Sequence, residues 1–428
     1  MSKFCGLDFG TSNSTLATVG SVRPALVPLE GDSLTLPSAV FYDDARASSR
    51  RAAGISYGRK ATDLYLDGQD GRLLRSLKSL LGTDLIDTGT PLSGRRVSFK
   101  GVIADFLTEI KNRAEQQLGE EITSVVQGRP VNFVNDDEQA NLAAQASLKE
   151  ILHSIGFKHV EFQYEPIAAG RYFASETSKS CLCLVVDIGG GTSDFSIINI
   201  NASHKSNGRI QGDVIANAGI RLGGTNFDQT LSFQHVMPLL GLGASLSDKA
   251  LDAPRWIYSY LSTWSKINLM NNPKIMRDID WTIRQGGGDV RFDRLDKVIH
   301  ASLGHHVAAS VEEAKIALST DDVTEIDLSY VEERLSVELS ARALSASLED
   351  ALAKINGAIG ACLDQAGLPG SGIDTVILTG GSTEMPILQN TITDMFPHAE
   401  ISTCDTFGAV GLGLAIEASS LFANRSGV

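Results

Sequence analysis

The stretch CLCLVVDIGGGTSDFSIINI, residues 181–200, decides how this chain is read. A strand-forming run ends on Asp187, a glycine-rich turn reverses the chain, and a second apolar run starts at Phe195. The design recurs near the beginning as KFCGLDF (3–9), the turn Gly10-Thr11-Ser12-Asn13, and STLATV (14–19). The two turn-proximal aspartates, Asp8 and Asp187, stand 179 residues apart. So long a period predicts two related lobes rather than an array of stacked repeats.

A glycine turn between strands leaves consecutive backbone N–H groups uncovered, and such a nest attracts anions. The hydroxyls of Thr11, Ser12, Thr192 and Ser193 add donors for phosphate oxygens. Asp8, Asp187 and Asp194 are hard oxygen donors suited to the water shell of Mg²⁺. One such turn is weak evidence, whereas two matched turns predict a clamp on a polyphosphate. No GxxxxGK[ST] occurs and neither turn opens a helix, which excludes a P-loop and a dinucleotide fingerprint. Asp187 also closes an apolar run, where a carboxylate needs a partner or a ligand.

Outward from the two turns, residues 101–118 and 136–155 carry apolar residues at helical spacing, with a strand-like VVQGRPVNF between them. Strands at 160–163 and 374–379 also precede helices, and the alternation predicts an α/β class. Residues 229–311 break the pattern and hold Trp256, Trp264 and Trp281. Trp256, Tyr260 and Trp264 read as one helical face, either the core of a small subdomain or a partner-docking surface. Gly286-Gly287-Gly288-Asp289 reads as a loop, and His305-His306 as an exposed loop pair.

The chain has 428 residues with 43% hydrophobic and 21% charged, enough for more than one core. A net charge of −14 argues against a nucleic-acid partner. Cys5, Cys181, Cys183, Cys362 and Cys404 read as reduced thiols among apolar neighbours; Cys181 and Cys183 could face one side, but no second ligand pair accompanies them. Asp8 comes too early for a secretory signal and no apolar run is long enough to cross a membrane, so a cytoplasmic protein is expected.

The motifs resemble those of the DnaK-type heat-shock chaperones. GLDFGTSNS (6–14) and VVDIGGGTSDFSI (185–197) resemble the family's two phosphate segments, and YEPIAAG (164–170) its connecting segment. RLGGTNFD (221–228), VEEAKIALS (311–319) and LTGGSTEMP (378–386) resemble the adenosine segments, and LKSLLG (77–82) the segment of the catalytic lysine. The order is the family's from residue 5 to about 413. The resemblance implies an actin-like, ribonuclease H-like ATPase fold, with mixed sheets flanked by helices in two lobes around a nucleotide cleft. The expected first lobe is 1–180 with 399–420 returning to it. The second is 181–398, enlarged by an aromatic-rich subdomain at about 223–345.

The resemblance further implies ATP or ADP with Mg²⁺ as ligands and slow ATP hydrolysis. Asp8 and Asp187 would hold the hydrated metal. Gly10, Thr11, Ser12, Asn13, Gly189, Gly190, Gly191 and Thr192 would bind phosphates. Lys78, Glu165, Asp187 and Thr192 would carry the chemistry. Gly223, Gly224, Glu312, Lys315, Ser319, Gly380, Gly381 and Ser382 would surround the nucleoside.

Two departures touch the base: Ile316 and Glu384 stand where the family usually has arginines that flank the adenine, so weaker ATP binding is expected. Glu138 replaces an arginine implicated in interdomain signalling. No linker or peptide-binding domain follows the last motif in this sequence, which resembles the short YegD-like branch. The expected function is a nucleotide-controlled switch acting on an unidentified protein partner or client. A sugar-type kinase and an actin-like scaffold are the alternatives.

Overall fold

The computed structural model describes residues 3–20, 23–43, 54–92, 95–206, 209–247, 251–403 and 408–423. Cys404 lies outside them. The chain forms two compact units, Met1–Gly223 with Ala353–Val428, and Gly224–Leu352.

The first unit contains two sheets built to one plan. In the first sheet, Lys3–Phe9 pairs antiparallel with Asn13–Val19 across the glycine turn and parallel with Ile122–Arg129 on its other side. Pro24–Leu26 extends the hairpin edge and His159–Tyr164 the parallel edge. In the second sheet, Cys181–Ile188 pairs antiparallel with Ser193–Ser206 and parallel with Thr375–Thr379. Arg209–Ile220 and Glu400–Thr403 are its edges. Setting aside the two-residue strand Leu36–Pro37, which pairs with Asn13–Val19 off the main path, and numbering by appearance within each half, both sheets run third, second, first, fourth, fifth.

The inner parallel strand of each sheet, Ile122–Arg129 and Thr375–Thr379, is buried along its whole length, as strands covered on both faces must be. Phe99–Leu118 covers the first sheet with Val102, Ile103, Phe106, Leu107 and Ile110. Its ends are fixed by the Ser98 hydroxyl, which accepts from the Gly101 N–H, and by Gly119 in left-handed backbone.

The two halves exchange helices. Ala409–Phe422, the last helix, packs on the strands of the first sheet, while Glu165–Glu176 packs on those of the second. The last helix approaches its neighbours over small residues: a Cβ at Gly413 would lie 1.8 Å from the Ala168 carbonyl oxygen of the other helix, and one at Gly6, in the first strand, would lie 2.3 Å from the Ala415 nitrogen. Both contacts require glycine.

The second unit is mostly helical, with one hairpin of Val323–Asp327 and Ser336–Ser340. Two expectations fail here. His305 and His306 are not an exposed loop pair, because they sit in the first turn of Gly304–Ala317. His305 is buried against Trp264, and His306 lies against the Tyr330 ring. Trp256, Tyr260 and Trp264 do not share one face. The helix Arg255–Leu261 ends before Trp264, where the Ser262 and Thr263 hydroxyls both donate to the Ser259 carbonyl and compete with the helical ladder. Trp256 and Tyr260 remain stacked edge to face, and Trp264 turns into a separate cluster with Ile267 and Ala308. Among the described residues, no helix is long and apolar enough to cross a membrane.

Candidate functional site

Both glycine turns belong to the first unit and face each other. A Cβ at Gly190 would come within 2.2 Å of the Ser12 hydroxyl, and one at Gly191 within 2.5 Å of the Thr11 hydroxyl. The second turn is closed by the Gly189 N–H donating to the Thr192 carbonyl at 3.0 Å. Gly223 and Gly380 pack behind it. A Cβ at Gly223 would lie 2.7 Å from the Gly189 oxygen, and one at Gly380 would lie 2.6 Å from the Asp187 Oδ1. The Ser382 hydroxyl donates to the Gly189 carbonyl at 3.0 Å, so Gly380 and Ser382 buttress this turn.

The first turn is held by Ser38, which sequence reasoning missed. Its N–H donates to the Ser12 carbonyl at 2.8 Å and its hydroxyl to the Gly10 carbonyl at 2.7 Å. Nothing in the local sequence around Ser38 signals this role.

Strand registry sets the carboxylates. Asp8 and Asp187 each occupy the next-to-last position of the first strand of their half. Asp187 stands opposite Asp194 in the second hairpin, whereas Asp8 stands opposite Thr15 in the first. Glu165 opens the helix that follows the fifth strand of its half. Lys78 comes from the short helix Leu77–Leu80 and is buried, with its ammonium 2.5 Å from Glu165 Oε1.

The electrostatics follow from this crowding. Burial pushes Asp8 up to about 7, Glu165 adds to the rise, and Lys78 lowers it. Burial and Glu165 likewise push Asp194 up to about 7, against hydrogen bonds from the Val131 N–H and Thr192. Asp187 is driven well above the carboxylate range by burial and then by Glu165, Asp194 and Asp8. Burial opposes the Lys78 ammonium, but Glu165 and Asp8 outweigh it and raise its pKa. Four carboxylates thus share one lysine, leaving an excess of hard oxygen donors beside an anion nest. That donor set fits a hydrated Mg²⁺.

The remaining expected residues are divided between the units. Gly224, Glu312, Lys315 and Ser319 belong to the second. There the Lys315 ammonium meets Asp228 Oδ1 at 2.6 Å and donates to the Gly224 carbonyl at 3.3 Å. Asp228, another residue not singled out from sequence, thereby fixes Lys315. Ile316 is 59% exposed and Glu384 is exposed, so neither is held by packing.

Two sheets of identical strand order, each presenting a glycine hairpin and an aspartate, define the actin-like ATPase fold. The sequence matches the family described as Hsp70 protein over residues 77–239 and 294–426, well over half its length, and the chain belongs to that family. It is also similar to the chaperone protein DnaK of Carsonella ruddii (strain PV), with 25% identity over 446 aligned positions. The alignment covers 98% of this chain and 64% of that protein, so the chain spans less than two thirds of the curated relative's length.

Proposed function

We propose that the protein binds ATP and ADP with Mg²⁺, hydrolyses ATP slowly, and serves as a nucleotide-controlled switch for a protein partner. The observation that carries this reading is the meeting of the two glycine turns, with Ser12 and Thr11 against Gly190 and Gly191, beside Asp8, Asp187 and the buried Lys78–Glu165 pair. Backbone N–H groups of Gly10–Asn13 and Gly190–Thr192 bind the phosphates from two sides. Asp8 and Asp187 would hold a hydrated magnesium ion, and Asp194 faces Asp187 across the hairpin. Bound magnesium supplies positive charge against the phosphates. Lys78 neutralises charge developing on the terminal phosphoryl group, and Glu165 orients Lys78 and the attacking water. Phosphoryl transfer needs mainly such positioning and charge neutralisation.

Gly223, Gly380, Gly381 and Ser382 support the nucleoside side within the first unit. Without arginines at 316 and 384, base recognition is weaker than phosphate recognition. Calorimetric titration with Mg-ATP and Mg-ADP, with and without chelator, tests the reading. Magnesium-dependent binding that is lost in Asp187→Asn supports it. Heat-silent titrations at high protein concentration, with no shift of the melting temperature by nucleotide, would remove it.

A further inference from the structure

Arg221 opens the segment Arg221–Asp228 and lies in the same unit as both glycine turns. Its backbone N–H donates to Asn135 Oδ1 at 2.6 Å, and its guanidinium Nη2 donates to the Ser79 carbonyl. Ser79 directly follows Lys78 on the short helix Leu77–Leu80. That helix starts from Ser76, a non-glycine residue held in left-handed backbone with φ 57. Such a conformation costs energy and persists only where surroundings enforce it. A single 3₁₀ turn has little stability of its own. Leu77 and Leu80 anchor it by burial, and Arg221 takes its Ser79 carbonyl.

The neighbours of Arg221 lead to the phosphate turn. The Leu222 carbonyl accepts from the Ser193 hydroxyl at 2.7 Å. Gly223 packs so closely that a Cβ would lie 2.8 Å from both the Gly190 carbonyl carbon and the Gly191 nitrogen. Residues 221–223 therefore touch the second glycine turn on one side and the Lys78 helix on the other. Keeping the guanidinium here costs desolvation, since burial lowers its pKa.

We propose that Arg221 is a positioning residue that couples the second glycine turn to Lys78 through the Ser79 carbonyl, so that phosphate engagement and placement of the lysine occur together. The proposal rests on the ATPase reading above. It predicts a defect in the chemical step rather than in binding, because Arg221 itself grips the carbonyl next to Lys78.

The test compares wild type, Arg221→Gln and Arg221→Lys in three measurements: single-turnover ATP hydrolysis at saturating protein, calorimetric Mg-ATP affinity, and amide hydrogen exchange at Ser79 and Leu81. A lost charge-assisted hydrogen bond predicts a hydrolysis rate about tenfold to a hundredfold lower in Arg221→Gln, with exchange at Ser79 and Leu81 faster by a similar factor. Affinity should stay within about threefold, a shift under half the tenfold step. Arg221→Lys should recover most of the rate and protection, since an ammonium still donates to one carbonyl. Wild-type exchange at Ser79 and Leu81 in Arg221→Gln, or equal losses of rate and affinity, would overturn the coupling. Should the wild type bind Mg-ATP without hydrolysing it, the ATPase reading fails by itself and the exchange comparison decides the role of Arg221.

Discussion

Lys78→Ala removes the ammonium that Asp8, Glu165, Asp187 and Asp194 share. Both members of the Lys78–Glu165 pair are buried, at 6% exposure each. Leaving one charge of a buried pair without its partner costs about 3–5 kcal/mol. The unit that contains the pair has about 300 residues. At roughly 2.1 cal/mol/K per residue, its unfolding entropy is about 0.6 kcal/mol/K, so the melting temperature should fall by about 5–8 °C at pH 8. Near pH 5.5 the loss should be smaller, because Asp8 and Asp194, with pKa values raised to about 7, then carry protons and no longer lose the lysine's attraction. Lys78→Met with Glu165→Gln removes both charges and should be less destabilised than Lys78→Ala alone. Calorimetric melts of metal-free, nucleotide-free protein at the two pH values provide the assay. An unchanged melting temperature for Lys78→Ala at pH 8, or a double variant as unstable as the single one, would refute the reasoning.

On the proposed reading, in which the lysine acts on charge that develops during transfer, Lys78→Ala should also lower single-turnover ATP hydrolysis by about a hundredfold or more while changing Mg-ATP affinity little. Gly223→Ala pushes a methyl group into the backbone of the second glycine turn and should weaken Mg-nucleotide binding at least about tenfold. In contrast, Gly360→Ala, which meets open space in the helix Glu349–Ala366, should stabilise by about 0.5–1 kcal/mol without affecting binding. The raised aspartates set a pH dependence whose sign can be worked out. Between about pH 4 and 7 the folded protein holds protons on Asp8 and Asp194 that the unfolded chain has released, so metal-free stability falls as pH rises through that window. Thermal melts across it should show this fall, and saturating Mg-ATP should flatten it. Ile316→Arg, at an exposed position, should tighten ATP binding by about twofold to thirtyfold if the new guanidinium stacks on the adenine, and titrations with ATP and inorganic triphosphate would show whether the gain requires the base.

The duplicated hairpins were legible because a glycine turn and a strand-ending aspartate leave local marks in the sequence. The lysine was not legible in that way. Beside Arg72 and Arg75 it reads as one of a surface basic run, and only the fold brings it to Glu165, 87 residues away. The braces of the site are equally silent: Asp194 takes the Val131 N–H across 63 residues, and Arg221 reaches Ser79 across 142. His305 misled because polarity was read as exposure, where tertiary packing against Trp264 decides burial.

The duplication is kept in strand order and broken in chemistry. Where the second hairpin pairs Asp187 with Asp194, the first pairs Asp8 with Thr15. Where the second turn is buttressed by glycines at 223 and 380, the first is held by the hydroxyl and N–H of Ser38. Lys78 and Glu165, which both come from the first half, add their influence to the carboxylates of the second. A symmetric pair of turns could hold a polyphosphate but would treat its two ends alike. The carboxylate excess on the second hairpin and the lysine entering from the first make the two turns unequal, and on the proposed ATPase reading that inequality would favour one end of the polyphosphate in the transition state.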